Sequence, residues 1–336
     1  MKEPVRVAVV GVGHLGKHHA RLLAAMPTAK LVCVVDSNEE IARSVGEEWD
    51  VPWSCDADRA PTDFEAEAVS IVVPTRAHCE LALRYLDQGL DILVEKPLAI
   101  SPSEGRRMVD LAKAKERVLA VGHVERFNPA VRALQGLGLT PRYIESERLA
   151  PFTFRSTDIG VVLDLMIHDI DLVLSLVDSE LEDVEVQGGA LFTPAEDIAS
   201  ARLRFANGAV ARLTANRVAL RPKRQMRMFS REGYVSLDFG KRYGLVIRKS
   251  DTWDVQKLDL GSIATAQIQD LWKFVFEGLL HVKELEMGEN NPLEEELRCF
   301  LECVRTREKP LVDGEAGLRA LEVAQRVLDC LAEHPW

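Results

Sequence analysis

Residues 5–23 read VRVAVVGVGHLGKHHARLL, and this stretch decides the fold of the first part of the chain. An apolar, β-branched run of strand character reaches Gly11, and an amphipathic helical pattern follows it. Between them, Gly11, Gly13 and Gly16 have the spacing GxGxxG. Such glycines permit a tight turn and close approach of a pyrophosphate, and a helix N-terminus favours negative charge. The stretch therefore predicts a strand-turn-helix unit that binds a dinucleotide.

An acidic residue supports this prediction. Asp36 ends the second strand pattern, KLVCVVD, twenty residues after Gly16. A carboxylate at that place accepts from the adenine ribose 2'-hydroxyl and repels a 2'-phosphate, so NAD is favoured over NADP. A glycine turn that merely joins strand to helix would explain neither the spacing nor Asp36. The predicted cofactor contacts in this region are Gly11, Gly13, His14, Leu15, Gly16 and Asp36.

The pattern of elements predicts two domains. Residues 1–124 alternate short β-branched runs with helical patterns, as in βαβ units that form a doubly wound parallel sheet. A long helical run over 160–177 follows, and then a series of strands with Asn207-Gly208 as a hairpin turn. We expect an α+β domain over 125–336, with a mostly antiparallel sheet and with C-terminal helices that pack back on the first domain.

Composition limits the classes of function. The chain has 336 residues, of which 47% are hydrophobic and 28% charged, as in globular proteins with two domains. Its net charge of -11 argues against a general affinity for nucleic acid or for anionic membranes. Because no apolar run approaches the roughly 20 residues that span a bilayer, and no signal peptide is evident, we expect a cytoplasmic protein. Its expected partners are small molecules and further copies of itself.

The cysteines give no sign of a disulfide framework. Their positions are scattered: Cys33, Cys55, Cys79, Cys299, Cys303 and Cys330. Cys299 and Cys303 are one helical turn apart and could form half of a metal site, but no second pair of ligands accompanies them. We therefore interpret the cysteines as reduced core residues and predict no metal site.

The run VVPTRAH, residues 72–78, ends a third major strand pattern. Pro74 stops the hydrogen-bonded ladder where the carboxyl ends of parallel strands line a ligand crevice. Thr75 is interpreted as the N-cap of the next helix, with a contact to the nicotinamide as the alternative. We include Pro74, Thr75 and His78 among the predicted cofactor contacts.

The run VEKPLA, residues 94–99, places two charges at the end of another apolar strand pattern. Pro97 cannot donate to a sheet ladder, so the strand stops with Lys96 at its carboxyl end. Glu95 and Lys96 form either an ion pair that only closes the strand or part of the crevice. In the second case Lys96 could donate to a substrate hydroxyl and stabilise the alkoxide. Both residues are predicted to contact the cofactor.

The run DLMIHDID, residues 164–171, interrupts an apolar helical pattern with polar side chains. Asp164, His168 and Asp171 have the spacing i, i+4, i+7, which aligns them on one stripe of an α-helix. They are either a satisfied core triad that holds two domains together or a functional group. In the functional interpretation His168 is a general base that a carboxylate orients.

Basic residues cluster in a later strand-turn-strand region. They are Arg217, Arg221, Lys223, Arg224 and Arg227. Such a run is either a solvated sheet face or subunit contact, or a site for a diphosphate, whose oxygens match arginine forks.

Four motifs, in order along the chain, resemble those of the Gfo/Idh/MocA family of glucose-fructose oxidoreductases and inositol dehydrogenases. They are GVGHLGKHH, VVPTRAH, VEKPLAIS and the Asp-x-x-x-His of Asp164 and His168. The resemblance implies a Rossmann domain, a bound nicotinamide cofactor, and an open C-terminal sheet through which a homodimer or homotetramer forms. It also implies that Lys96, Asp164 and His168 are the catalytic group, with a peptide bond from Lys96 to Pro97 that is often cis.

Within this family, GHVERFNPAV (122–131) and LMIHDIDL are similar to enzymes that oxidise UDP-N-acetylglucosamine at C3, before an aminotransferase makes a 2,3-diamino sugar. The resemblance thus implies NAD-dependent oxidation of a UDP-N-acetyl-hexosamine to a 3-keto sugar nucleotide. The expected substrate contacts are Lys96, Arg126, Asp164, His168, Arg221 and Arg224. Three alternatives stay open: a polyol, inositol or free-sugar dehydrogenase, an NAD-dependent glycosidase, and a nicotinamide-binding regulatory protein without turnover. Lys96 and His168 could also exchange the acid and base roles.

Overall fold

The structure is a computed structural model that describes residues 3–153, 159–249 and 280–333. The strands are β1 Val5–Val10, β2 Ala29–Val35, β3 Trp53–Ser54, β4 Ala68–Ile71, β5 Asp91–Glu95, β6 Leu119–Gly122, β7 Tyr143–Leu149, β8 Leu181–Gly189, β9 Ile198–Phe205, β10 Val210–Asn216, β11 Lys223–Phe229, β12 Tyr234–Asp238, β13 Tyr243–Lys249 and β14 Leu280–Glu284. The α-helices are α1 Gly16–Ala25, α2 Glu39–Trp49, α3 Ala60–Asp63, α4 His78–Asp87, α5 Pro102–Ala114, α6 Pro129–Arg132, α7 Ile167–Leu176, α8 Pro292–Thr306 and α9 Gly314–Glu333. The other described helices are two 3-10 helices, Thr75–Ala77 and Val124–Phe127, and a π-helix, Val162–Met166.

The chain forms two compact units. The first combines Met1–Phe127 with Asn290–Leu328, and the second combines Asn128–Glu289 with Asp329–Trp336. Helix α8 and most of α9 thus belong to the first unit, while the predicted division into domains 1–124 and 125–336 stays a prediction. Most of the stretch 250–290, in which the sequence shows no clear pattern, lies outside the described residues. Among the described helices, none is both long and apolar enough to cross a membrane.

The first unit is built on a six-stranded sheet with the order β3-β2-β1-β4-β5-β6. Every pair of neighbouring strands in it is parallel. The strand order reverses between β1 and β4, so the sheet is doubly wound and a crevice opens at the carboxyl ends of these strands. The predicted Rossmann fold is confirmed.

The C-terminal helices contribute to the core of the first unit. Leu297 and Phe300 of α8 are buried in the same apolar cluster as Val7 of β1. On the next helix, Gly317 lies so close to β6 that a Cβ atom there would come within 2.6 Å of the Val121 side chain. Burial of this apolar surface supplies most of the attraction between these elements.

The second unit contains an eight-stranded sheet with the order β14-β13-β12-β11-β7-β10-β9-β8. Within the described strands, β7 and β10 pair in parallel and all other neighbours are antiparallel. The order is open, since β14 and β8 are edges. The predicted open, mostly antiparallel sheet is confirmed.

Strand β7 lies inside this sheet, yet the sequence analysis did not predict it. Its sequence, YIESERL, buries alternate residues, Ile144, Ser146 and Arg148, and two of these three side chains are polar. Arg148 is satisfied by Asp169 of α7, whose two carboxylate oxygens lie 2.9 and 3.0 Å from its guanidinium nitrogens. Because the buried face of β7 is polar, the alternation of apolar and polar residues that marks a strand is missing.

The cysteines are free in the structure, and one of them corrects the prediction. Cys33, Cys79 and Cys303 are buried, and Cys299 and Cys330 are partly buried. Cys55 is exposed, so the prediction that all six are core residues is wrong for this one. It follows the two-residue strand β3 at the edge of the first sheet, where no further strand covers it.

We predict that the ion pair between Arg148 and Asp169 stabilises the second unit. Arg148→Ala leaves a buried carboxylate without its cation, which should lower the free energy of unfolding by about 3 to 5 kcal/mol. Urea denaturation measures this change. Arg202→Ala is the control, because Arg202 forms a 3.0 Å pair with Glu185 on the exposed side of the same sheet and should cost under about 1 kcal/mol. Equal losses in the two variants would contradict the prediction.

Candidate active site

The carboxyl ends of four neighbouring strands carry the residues that the sequence singled out in the first unit. Val10 of β1 is aligned with Ile71 of β4, and Ile71 with Val94 of β5. Glu95 at the end of β5 is aligned with Gly122 of β6. The glycine loop, the run after β4 and Lys96 therefore all leave the sheet at one edge, where ligands of doubly wound folds bind.

The glycine loop has the backbone geometry that its motif requires. Gly11 has a φ of +86°, and a Cβ atom there would come within 2.3 Å of the Val72 carbonyl oxygen. A Cβ atom on Gly16 would lie 1.8 Å from the Gly11 carbonyl oxygen, so strand and helix approach each other only because both residues are glycine. A Cβ atom on Gly13 would meet no atom within 4 Å, which leaves open space above the loop. A pyrophosphate fits this space.

Helix α1 begins at this loop without a capping side chain. Its N-cap residue, Leu15, makes no side-chain hydrogen bond, and the first turn contains no acidic residue. His14 and Leu15 are both exposed beside the open space. Backbone N–H groups at an uncapped helix N-terminus are suited to an anion.

Asp36 lies at the end of β2, next to the glycine loop. Its carboxylate accepts from the backbone N–H groups of Val12 and Asn38, each at 3.0 Å. These two bonds fix the carboxylate while leaving lone pairs for a further donor. The residue is half-buried, so a ribose hydroxyl is a suitable donor. The glycine loop and Asp36 together fit the adenosine diphosphate part of NAD.

The run after β4 is held by His78. This buried ring lies with its Nδ1 atom 2.9 Å from the Pro97 carbonyl oxygen and its Nε2 atom 2.9 Å from that of Val73. Burial lowers the pKa of His78, although the two carbonyl oxygens and the nearby Glu95 carboxylate oppose this shift. A neutral ring donates to one of the two oxygens. His78 thus connects the run after β4 with the turn after β5.

The N-cap interpretation of Thr75 is wrong. Thr75 is the first residue of the 3-10 helix, and Pro74 occupies the cap position with extended backbone angles. Helix α4 begins only at His78, and its cap position is Ala77. Thr75 is half-buried and Pro74 exposed beyond the end of β4, so contact with the nicotinamide stays a prediction for both.

Lys96 is the residue that follows β5, and it is half-buried. Its peptide bond to Pro97 is cis. Its backbone N–H donates to the side chain of Glu95 at 3.2 Å. Glu95 itself is buried, and its other carboxylate oxygen lies 3.1 Å from Nε2 of His19. The pair of charges in the sequence therefore separates into a buried carboxylate and a lysine at the crevice.

The second unit carries Asp164 and His168, and their helix differs from the prediction. Instead of one α-helix over 160–177, a π-helix over Val162–Met166 contains Asp164, and α7 begins after it with His168 near its start. The i to i+5 bonds of a π-helix change the angle between successive side chains, so the predicted single stripe is wrong in detail. π-Helical turns occur frequently at functional sites.

The three polar side chains of the predicted stripe differ in burial. Asp164 and His168 are half-buried, whereas Asp171 is 2% exposed. The segment before the π-helix is held by Glu196, whose backbone carbonyl accepts from Val161 and whose carboxylate accepts from Val162, both at 3.0 Å. No sequence motif points to Glu196, because it lies in a loop 34 residues after Val162.

The basic cluster does not form one site. Lys223 pairs with Glu147, and Arg227 lies 3.7 Å from Glu145, on the half-exposed side of β7 and β11. Arg217 is buried and donates to the Ile159 carbonyl oxygen at 2.5 Å. The diphosphate interpretation of the whole cluster is therefore not supported.

The other predicted substrate residues are three arginines whose surroundings differ. Arg221 is exposed after β10. Arg224 is aligned with Arg148 of β7 but is itself exposed. Arg126 belongs to the first unit, where it donates to the Leu311 carbonyl oxygen at 3.4 Å. Substrate contacts of these three residues stay predictions.

Comparison with known proteins identifies the family. Residues 5–123 match an oxidoreductase family with an NAD-binding Rossmann fold, and residues 137–236 match the GFO/IDH/MocA C-terminal domain. The chain is 35% identical to the UDP-N-acetylglucosamine 3-dehydrogenase of Acidithiobacillus ferrooxidans, over 96% of both proteins. The chain belongs to the Gfo/Idh/MocA oxidoreductase family.

Further comparisons agree with this membership. A solved structure of the A. ferrooxidans enzyme has a TM-score of 0.84 to this Gfo/Idh/MocA chain and 34% identity, with 97% of both chains covered. The scyllo-inositol 2-dehydrogenase (NAD(+)) of Bacillus subtilis is 32% identical over 65% of this chain and 69% of its own length. The chain is an NAD-dependent oxidoreductase that acts on CH–OH groups, so the predicted family, cofactor and enzyme class are confirmed.

In this Gfo/Idh/MocA oxidoreductase, we predict that Asp36 selects NAD. Asp36→Ala should weaken NAD binding about tenfold, the size expected for loss of a hydrogen bond to a charged group. Binding of NADP should weaken less or improve, because the repulsive charge is gone. Isothermal titration calorimetry with both cofactors measures the change. Glu40→Ala removes an exposed carboxylate on the nearby helix α2 and serves as the control; equal effects of the two variants would count against the ribose contact.

Proposed function

We propose that this protein oxidises the C3 hydroxyl of UDP-N-acetylglucosamine to a ketone with NAD as the oxidant. The observation that carries the proposal is the likeness to the A. ferrooxidans enzyme, which extends over nearly the whole of both chains. The likeness to the inositol dehydrogenase is limited to about two thirds of each chain. A 3-keto sugar nucleotide is a suitable substrate for an aminotransferase, so the product would serve amino-sugar biosynthesis.

Lys96, Asp164 and His168 are the proposed catalytic residues. NAD, which the glycine loop and Asp36 would hold, would supply the acceptor for the hydride from C3. His168 removes the hydroxyl proton, and Asp164, four residues before it, orients the imidazole. Lys96, at the carboxyl end of β5, donates to the same oxygen and stabilises the negative charge that develops there. Exchange of the acid and base roles between Lys96 and His168 is the alternative assignment.

We propose that the open sheet of the second unit mediates contacts between copies of the chain in the cytoplasm. Its face opposite α7 carries a half-exposed aromatic group, in which the ring of Phe229 lies 5.7 Å from that of Tyr143 and 4.9 Å from that of Tyr234. Aromatic residues are enriched at protein interfaces. The ion pairs of β7 and β11 lie on the same face and offer both signs of charge.

The substrate is tested by following NADH absorbance with a panel of UDP-sugars, inositols and free sugars. We expect turnover with UDP-N-acetylglucosamine, together with net NADH production and a 3-keto product identified by mass spectrometry. Turnover of a polyol but of no UDP-sugar would refute the nucleotide-sugar proposal. Cleavage of a glycoside without net NADH would instead indicate the glycosidase alternative, in which the cofactor is oxidised and reduced within one turnover.

The catalytic assignment predicts large losses of rate with little change in cofactor binding. Lys96→Met and His168→Ala should each lower kcat by about 100-fold or more, as expected for loss of a general acid or base. Their affinities for NADH should stay near that of the parent protein, which fluorescence titration measures. Lys115→Met is the control, because Lys115 is exposed on the first unit and pairs with Asp87. A variant at Lys96 or His168 with full activity would refute the role of that residue.

A further inference from the structure

A chain of three polar side chains lies inside the first unit, directly below Lys96. His19 of α1 has no exposed surface, and neither does Ser70 of β4. The Nδ1 atom of His19 lies 2.9 Å from the Ser70 hydroxyl, and its Nε2 atom lies 3.1 Å from the Glu95 carboxylate. The second carboxylate oxygen of Glu95 accepts from the Lys96 backbone N–H. Four residues from α1, β4 and the end of β5 are thus connected by two hydrogen bonds and one close polar contact.

These contacts limit where the protons lie. A carboxylate only accepts, so the Nε2 atom of His19 that lies 3.1 Å from it carries a proton, although this contact does not have the geometry of a hydrogen bond. The Nδ1 atom lies at hydrogen-bond distance from the Ser70 hydroxyl. Burial by itself would raise the pKa of Glu95, but the neighbouring His19, followed by Lys96, holds this pKa below its usual value. Glu95 is therefore a carboxylate inside the protein.

The neighbouring strand leaves room for this carboxylate. A Cβ atom on Gly122 of β6 would lie 2.9 Å from the carboxyl carbon and from both oxygens of Glu95. The titratable groups that face Glu95 are His19 on α1, His78 on α4 and Lys96 next to it in the chain. An isolated buried charge is costly, and apolar side chains of similar size often stabilise a core at least as well. The stability of the fold is thus a weak reason for a buried carboxylate at Glu95.

We propose that Ser70, His19 and Glu95 are positioning residues for Lys96. His19 keeps the carboxylate of Glu95 fixed and ionised, and the carboxylate holds the Lys96 backbone and attracts its ammonium group at the crevice. The proposal rests on the proposed role of Lys96 in catalysis, but the relation between these side chains is measurable without a substrate. Neither the family membership nor the sequence motif assigns a role to Ser70 or His19.

The decisive experiment measures the titration of Lys96 in the protein without cofactor or substrate. Trace acetylation with acetic anhydride across a pH series, followed by peptide mass spectrometry, gives the midpoint at which Lys96 becomes reactive. Glu95→Gln keeps the shape of the side chain but removes its charge, so the ammonium group loses a stabilising neighbour. The midpoint should therefore move to lower pH.

The role of His19 is tested with three further variants. His19→Phe removes the polar neighbour that keeps the Glu95 carboxylate in place next to Lys96, so the Lys96 midpoint should fall toward that of Glu95→Gln. The double variant His19→Phe/Glu95→Gln should show no further shift, because both changes act through one charge. His19→Gln provides an amide donor in place of Nε2 and should restore most of the parent midpoint. If His19→Phe does not fold, Glu95→Gln and His19→Gln decide the question.

A matched control excludes a general effect of charge. Glu315→Gln makes the same change of net charge in the first unit, where Glu315 pairs with Lys113. It should leave the Lys96 midpoint unchanged. An unchanged Lys96 midpoint in Glu95→Gln would overturn the proposal. A His19→Phe variant that has lower thermal stability but the parent midpoint would also overturn it, because that result is expected of a purely structural residue.

Activity provides a separate readout. In Glu95→Gln, kcat should fall about tenfold near neutral pH and its pH profile should shift in the direction of the labelling midpoint, while the KM for NAD changes little. If no UDP-sugar is oxidised but the labelling shifts occur, the proposed substrate fails and the positioning group stands. If the enzyme oxidises UDP-N-acetylglucosamine but the Lys96 midpoint does not shift, the proposed substrate stands and the positioning proposal fails.

Discussion

The buried carboxylate of Glu95 is the constraint on which the candidate crevice depends. It lies at the end of β5, where it is tied to α1 through His19 and to the backbone of Lys96. A carboxylate in a protein interior is stable only with donors on it, so the helix, the strand end and the lysine are fixed relative to one another. Gly122 of β6 accommodates this group, because any larger residue would collide with it. The backbone of Lys96 is therefore held at the carboxyl end of β5 by Glu95, which is itself in contact with His19 in the core.

The glycine loop obeys a second constraint, which is steric rather than electrostatic. A Cβ atom at Gly11 or Gly16 would lie less than 2.5 Å from a carbonyl oxygen, so no other residue fits either position without displacing β4 or α1. The close approach brings the first turn of α1 and the Asp36 carboxylate to one place. One group favours the anionic pyrophosphate and the other the neutral ribose, and together they account for the predicted preference for NAD over NADP. Of the proposed catalytic residues, Lys96 belongs to the first unit, and Asp164 and His168 belong to the second.

Much of the first unit was predictable, because its strands are apolar runs and its loops carry motifs that physical chemistry explains. The second unit was harder, and the errors have physical causes. Strand β7 was missed because its inward face carries Ser146 and Arg148, which resemble surface residues until Asp169 of α7 is seen to pair with the arginine. The predicted helix over 160–177 begins as a π-helix, which apolar periodicity over so short a segment does not reveal. The basic cluster was separated by the alternation of side chains along β11 and by acidic partners on β7.

The sequence by itself determined the order of the βα units, the glycine turn, the acidic residue after β2 and the lysine after β5. These features depend on local backbone geometry and on spacing, which neighbouring residues in the chain control. Only the tertiary structure decided which distant side chains satisfy each other. His19, Ser70 and Glu95 lie far apart in sequence, and nothing local shows that polar contacts connect them next to Lys96. Pairing of buried polar groups is a property of packed elements, so the fold reveals it and the linear pattern does not.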